Sequence, residues 1–222
     1  MEEQILYSDK NIIVINKLPG QDSEKLWSGF GVFPESNGEV IYPVNRLDMP
    51  VSGCIMGGFS KPALKFYGKL FRENKIKKEY WAIAFKGNSI PERGRGFCED
   101  YIYYDRGKRK AFIAKDLKDG CKALCEWEIL GISDNYVFFK LFPQTGKTHQ
   151  LRIQLSNMGF PVKGDLKYGS KRSDSLPGIR LHCHSIKFPL MNCNREITVE
   201  SLPRYSDNLW NYFYYLYYGK RK

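Results

Sequence analysis

Apolar and polar positions along the chain follow two different periods, and most of its segments can be read from them. Ile12-Ile13-Val14-Ile15 is a short unbroken apolar run, the pattern of a buried strand. Ser60 precedes Ala63, Leu64, Tyr67, Leu70 and Phe71. Their spacing of three or four predicts a core-facing helix with Ser60 as its N-cap. Residues 80–85 read as a strand. Cys121, Ala123, Cys125, Trp127 and Ile129 alternate with Lys122, Leu124, Glu126, Glu128 and Leu130, which predicts a strand with one mostly apolar face. Residues 136–142 predict another. Helical spacing returns over 148–158, with Leu151, Leu155 and Met158 on one face and Gly159 as the stop. Strands at 182–188 and 195–200 follow. Ser206 is expected to cap a last helix running to Tyr218, packed by Leu209, Trp210, Phe213 and Leu216. Residues 19–40, with several glycines and polar residues, read as irregular.

Strands outnumber helices and no regular βαβ alternation appears. The expected class is therefore α+β: a mixed, largely antiparallel central β-sheet flanked by helices and loops. No internal repeat, low-complexity linker or composition break divides the chain, so residues 1–222 read as a single domain. At this length a folded chain buries roughly 70–75% of its unfolded surface, enough for a substantial core. The 42% hydrophobic and 15% aromatic content supplies that core and argues against disorder.

Charge changes the picture more than size does. The chain carries 35 Lys and Arg against 24 Asp and Glu, a net +11. Clustered cations favour polyanion partners, because binding to phosphates releases counterions, and nucleic acid is the expected partner class. Six cysteines at irregular spacing in a chain of this size do not suggest a disulfide framework. The start, Met1-Glu2-Glu3-Gln4, is neither a signal peptide nor an Arg-rich transit peptide. No apolar run approaches the roughly 20 residues that span a bilayer. The expected location is the cytoplasm, with no membrane association.

Candidate chemistry begins at Arg46-Leu47-Asp48, followed at once by Met49-Pro50-Val51-Ser52-Gly53. By itself this carboxylate reads as a solvated turn residue. Three further stretches follow in order: Lys78-Glu79-Tyr80-Trp81-Ala82, Gly146-Lys147-Thr148-His149-Gln150-Leu151-Arg152-Ile153, and Gly164-Asp165-Leu166-Lys167-Tyr168-Gly169. Leu181-His182-Cys183, with Ile186 and Phe188, closes the series. Together, over about residues 5–202, they resemble the pseudouridine synthases of the RluA type, which modify uridines in ribosomal and transfer RNA. Many members of that family carry a small RNA-binding domain ahead of the catalytic one. Here the first strand motif begins near Ile5, so a catalytic domain alone, with an RNA-binding cleft, is expected.

The resemblance implies that Asp48 is the essential carboxylate, acting either by covalent attack on C1′ or by taking a ribose proton to form a glycal. It implies that Arg152 is the cation paired with that Asp, and that Tyr80 stacks on the flipped uracil with its phenol within reach of C5. Leu181 would line the uracil pocket, Arg46 would fill the gap left by the extruded base, and Lys147, Thr148 and His149 would touch RNA near the site. Without the resemblance, Arg152 reads as an exposed helix residue, Tyr80 as a core strand aromatic, Leu181 as a core leucine and Asp165 as a turn residue. The isomerisation is redox-neutral and adds nothing, so no cofactor or metal is expected. A stacked uridine must first be extruded from folded RNA.

Residues 101–110 interleave Tyr101, Tyr103, Tyr104, Arg106, Lys108, Arg109 and Lys110. Aromatics can stack on splayed bases while cations meet phosphates. Tyr103, Arg106, Lys108 and Arg109 are therefore candidate RNA contacts, with a solvated β-hairpin as the plain alternative. The tail Lys220-Arg221-Lys222 reads as a solvated end. Asn45, Val51 and Lys147 depart from the family's usual histidine, threonine and arginine, which bears on target choice. The rival readings are a catalytically inactive RNA-binding protein, a glycoside hydrolase using two carboxylates such as Asp48 and Asp165, the sister synthases of small-subunit ribosomal RNA, and a metal site at His182, Cys183, His184 and Cys193. On a strand, His182 and His184 share a face from which Cys183 points away. Cys121 and Cys125 would lie about 13 Å apart, too far to share one zinc. A monomer is expected.

Overall fold

The computed structural model describes residues 4–29, 40–87 and 94–219. Part of the irregular 19–40 stretch, the start of the chain and the basic tail lie outside the described residues. Among the described residues eleven strands and three α-helices follow in chain order: β1 (Ile5–Ser8), β2 (Ile12–Lys17), β3 (Tyr42–Pro43), β4 (Ser52–Gly58), α1 (Lys61–Arg72), β5 (Lys77–Phe85), β6 (Arg95–Asp105), β7 (Lys110–Ala114), β8 (Cys121–Ile132), β9 (Tyr136–Pro143), α2 (Gln150–Asn157), β10 (Leu181–Pro189), β11 (Glu196–Glu200) and α3 (Asn208–Gly219). The class is α+β, as the periodicities predict. The backbone divides into two compact units, each assembled from two stretches of chain: Met1–Lys78 with His182–Arg204, and Glu79–Leu181 with Tyr205–Lys222.

In the first unit β4 is central. It pairs antiparallel with β2 (Ile12↔Gly58 through Lys17↔Gly53) and with β3, and parallel with β10 (His182↔Ser52, Cys183↔Gly53). β1 and β11 extend this arrangement antiparallel from β2 and β10. Every residue of β4 is buried, as is the Ile12-Ile13-Val14-Ile15 run. Gly53 is the glycine of the Arg46 motif, and its place requires one. Its φ is +115°, and a Cβ there would lie 2.3 Å from the Cys183 carbonyl oxygen. α1 begins as predicted, with Ser60 Oγ accepting from the Ala63 N–H and with Ala63, Tyr67 and Leu70 buried. Tyr67 packs edge-on to Phe188 and accepts from the Met191 N–H.

In the second unit the strands run in the order β5-β9-β8-β6-β7, every pair antiparallel. α3 lays Trp210, Phe213, Leu216 and Tyr217 on Trp81, Ile83, Leu130 and Phe138. Three sequence expectations change here. The alternation in β8 holds through Trp127, but a bulge against β9 between Ile129 and Gly131 turns Leu130 inward in place of Ile129. One inserted residue exchanges the two faces of a strand. The cap of α3 is Asp207 rather than Ser206: its Oδ1 accepts from the N–H groups of Leu209 and Trp210. A carboxylate also suits the positive end of a helix better than a hydroxyl. α2 starts at Gln150, two residues later than predicted, because His149 sits at φ +58° and cannot be helical.

Candidate active site

Asp48 opens a turn in the first unit, its carbonyl accepting from the Val51 N–H at 3.0 Å. The turn is fastened on both sides. Ser23 Oγ donates to the Leu47 carbonyl at 2.7 Å and accepts from the Leu47 N–H. The Gly20 N–H donates to the Met49 carbonyl at 2.7 Å. Beneath lies Lys17, fully buried at the end of β2. Its Nζ donates to the carbonyls of Leu18 (2.9 Å), Gln21 (3.0 Å) and Met49 (3.2 Å). Burial pushes the Lys17 amine down to about 8, while Asp48 and Asp22 pull it back up. Asp48 is thus half-buried on a turn held by side-chain and backbone hydrogen bonds. Nothing in the sequence reading singled out Lys17; a lysine ending an apolar strand run is the signal that could have done so.

The other residues of this unit fall into simpler places. Arg46 is exposed and ion-paired with Glu24 at 2.7 Å. Asn45 accepts from the Met56 N–H at 2.7 Å and so holds the motif to β4. Val51 is buried. His182 and His184 are fully buried and engaged with protein groups: His182 Nδ1 lies 2.8 Å from Ser52 Oγ, and His184 Nδ1 lies 2.8 Å from the Ser201 carbonyl. Burial, first of all, drives His182 down to about 3, so it is neutral at physiological pH. Among the described residues no group of three or more His, Cys, Asp or Glu side chains could hold a metal ion, and all six cysteines are free thiols.

The second unit brings together residues that the sequence scatters. Arg152 is not an exposed helix residue: it is 4% exposed. Its Nε and Nη2 donate to the two oxygens of Asp165 at 2.6 and 2.8 Å. Its guanidinium carbon sits 4.9 Å from the centre of the Tyr168 ring. The Tyr168 hydroxyl accepts from the Ala111 N–H at 2.7 Å and lies 2.7 Å from His149 Nδ1. Asp165 does hold a turn, its carbonyl accepting from the N–H groups of Tyr168 and Ser170. The turn reading missed the side chain, which is 1% exposed and fully committed to Arg152. Both of its oxygens accept from the Arg152 guanidinium.

Tyr80 lies on β5 opposite Leu141 and is half-buried, whereas its neighbour Trp81 is the core aromatic. Leu181 is 2% exposed at the start of β10. Lys147 is exposed, and the loop carrying it with Thr148 is braced by Gln150, whose Oε1 accepts from Thr145 Oγ1 and the Lys147 N–H. β6 and β7 form the hairpin suggested for 101–110. Arg106, Lys108 and Arg109 are exposed at its tip, and Tyr103 stacks on Phe112 at 5.4 Å. Tyr104 meets His149 edge-on at 5.3 Å. An open cleft of about 460 Å³ is bordered by Tyr103, Tyr104, Lys118, Asp119, Lys147 and Thr148. Two stretches named separately as RNA contacts, 101–110 and 147–148, thus border one concavity. Among the described residues no helix is long and apolar enough to cross a membrane.

Residues 11–157 match the family model described as RNA pseudouridylate synthase. The chain is 31% identical over 207 residues to an uncharacterized RNA pseudouridine synthase of Haemophilus influenzae, covering 91% of this chain and 88% of that one. It is 31% identical over 210 residues to the dual-specificity RNA pseudouridine synthase RluA of Haemophilus ducreyi, covering 87% and 92%. The human RNA pseudouridylate synthase domain containing 4 shares the fold, with a TM-score of 0.74 at 21% identity over 97% of this chain and 93% of that one. The chain belongs to the RNA pseudouridine synthases, in the RluA-type family, and its reaction is the isomerisation of uridine in RNA. These matches do not favour the readings as an inactive RNA binder or a glycoside hydrolase.

Proposed function

We propose that this synthase modifies uridines in ribosomal or transfer RNA, with Asp48 as its catalytic carboxylate. The target classes are those in the printed names of relatives, among them a large-subunit ribosomal synthase of Borreliella burgdorferi and a transfer-RNA synthase of Haemophilus ducreyi. The reaction breaks the N1–C1′ bond and forms C5–C1′; N1 gains a proton and C5 loses one, so no electrons are exchanged. The observation that carries the assignment is the Asp48 turn. It is fixed by Ser23, Gly20 and the buried Lys17.

In this reading Arg152 is the active-site cation that serves the carboxylate. Tyr80 stacks on the uracil and manages the C5 proton, Leu181 lines the base pocket, and Arg46 enters the gap in the RNA. Lys147, Thr148 and His149 hold RNA backbone near the site. Tyr103, Arg106, Lys108 and Arg109 dock RNA further out; the exposed cations at the hairpin tip and the cleft shared with Lys147 support that role. The protein works as a monomer in the cytoplasm, with no resident metal or cofactor.

Asp48→Asn tests the centre of the proposal. The amide keeps the shape but removes the carboxylate. Tritium release from C5-labelled uridine in RNA is expected to fall to background, with folding and RNA binding retained. Turnover within tenfold of wild type would remove Asp48 from the chemistry.

A further inference from the structure

α1 carries a charge pattern that its packing does not use. Its basic residues are Lys61, Lys65, Lys69 and Arg72, and no Asp or Glu stands between them. All four are exposed. At 3.6 residues per turn they fall within about 80° of arc around the helix. Ala63, Tyr67 and Leu70 are buried on the opposite side. The cations therefore form one stripe, about 17 Å long at the helical rise.

The helix itself gains nothing from this stripe. Lys61 with Lys65, and Lys65 with Lys69, are like charges four residues apart, a spacing at which they repel and destabilise a helix. Lys61 sits in the first turn, where the helix dipole favours an anion and no acidic residue is present. Glu73, just past the helix, lies 2.8 Å from Lys75 and only within 3.7 Å of Lys69. Among the described residues Lys61, Lys65 and Arg72 make no ion pair. A merely solvated face gains by mixing signs, because opposite charges at this spacing attract. A face of one sign gives that up, and phosphates standing opposite it restore the balance.

Two observations narrow the partner. A basic amphipathic helix can lie on an anionic membrane only with a free apolar face. That of α1 is already packed, with Ala63 and Leu70 buried and Tyr67 edge-on to Phe188. The stripe also starts away from the candidate carboxylate. β4 separates the Asp48 turn from α1, and its seven residues span about 20 Å. Lys61 would thus meet RNA well outside the target nucleotide.

We propose that Lys61, Lys65, Lys69 and Arg72 form a second RNA-docking surface, which holds sugar–phosphate backbone of the substrate at a distance from the uridine being isomerised. Such contacts add affinity and orientation without reading sequence. This rests on RNA as the substrate and is separate from the hairpin cations Arg106, Lys108 and Arg109.

The test changes Lys61, Lys65 and Lys69 together to Gln in the full chain, since Gln has nearly the helix propensity of Lys. Binding to an RNA duplex of about 20 base pairs, longer than the stripe, is followed across a salt series. The log–log slope is expected to fall by about 2.7, at ~0.9 for each lost phosphate contact on a duplex. Affinity at low salt should drop by about tenfold or more. In tritium release from C5-labelled RNA the loss should appear in KM and not in the saturating rate. The thermal midpoint should hold or rise, because the repelling pairs are gone. The matching triple change to Arg keeps the charges and should keep the slope. An unchanged slope in the Gln chain would overturn the proposal and leave α1 with a solvated face. Equal losses in the Gln and Arg chains would also overturn it, since charge would not be the cause. So would a Gln chain that keeps its RNA affinity but loses binding to poly-glutamate or to phosphatidylserine vesicles, which would assign the stripe to an acidic protein or a lipid surface. If the Gln chain does not fold, Lys65→Gln alone is read, with an expected drop in slope of about 0.9. Absence of pseudouridine formation by the wild-type chain would sink the function itself, whereas an unchanged slope sinks only this docking surface.

Discussion

Replacing Lys17 with Met sets two terms of opposite sign against each other, and their balance depends on pH. Methionine keeps most of the length of the side chain and removes the ammonium. Three carbonyls, those of Leu18, Gln21 and Met49, lose a donor. At a net ~1 kcal/mol for each bond, about 3 kcal/mol is lost; the Met49 carbonyl is partly protected because it retains the Gly20 N–H. Against this, the drop of the amine from its ordinary 10.5 to about 8, caused first by burial, means that the charged lysine costs the fold about 3 kcal/mol at pH 7. Methionine does not carry that cost. The variant should therefore lie within about 1 kcal/mol of wild type at pH 7. The folded pKa is below the unfolded one, so the stability linked to Lys17 is present above the unfolded value and withdrawn as pH falls to about 8. Wild type should gain on the variant by about 2 kcal/mol between pH 7 and pH 9.5, as the amine becomes neutral in the fold. Urea unfolding of both proteins at the two pH values reads this directly, because every other titrating group cancels in the difference. Turnover by the Met variant should fall at pH 7 despite its preserved stability, since the Met49 carbonyl beside Asp48 loses its tie. Parallel stability curves across this pH range would refute the argument, as would a loss above 3 kcal/mol at pH 7.

Tyr80→Phe should bind RNA normally but turn over slowly if the phenol handles the C5 proton; an unchanged single-turnover rate would leave Tyr80 with stacking alone. Changing Arg106, Lys108 and Arg109 together to Ala should flatten the log–log salt dependence of RNA binding by about 2, at ~0.7 for each lost phosphate contact on a single strand, while the rate at saturating RNA is spared. An unchanged slope with a collapsed rate would make the hairpin part of the active site. Asp174→Asn should destabilise the chain by about 3 kcal/mol, because it removes one of the two carboxylates on the buried Arg180 and the partner of the half-buried Lys163. Burial alone would raise Asp174, but Arg180 and Lys163 hold it near 2, so its contribution is present above pH 3.8 and lost as pH falls through 2. Thermal unfolding at pH 7 checks the size, and a shift of only a degree or two would show that the network is dispensable.

Periodicity alone carried the α+β class, the buried β2 run, the Ser60-capped α1 and the aromatic face of α3, because these follow from whether a local pattern repeats every two or every 3.6 residues. Motif order carried the family and drew attention to Asp48, Tyr80 and Arg152. Tertiary structure decided what depends on residues far apart in the chain. Lys17 reaches the Met49 carbonyl across 32 residues, and Asp165 grips an arginine 13 residues away. The bulge that turns Leu130 inward is a matter of register with β9, not of β8 itself. A local pattern records which face of an element is apolar, because burial acts on each residue by its own chemistry. It does not record which charge is balanced by which, because a buried ion or carbonyl is satisfied by whatever the fold brings to it.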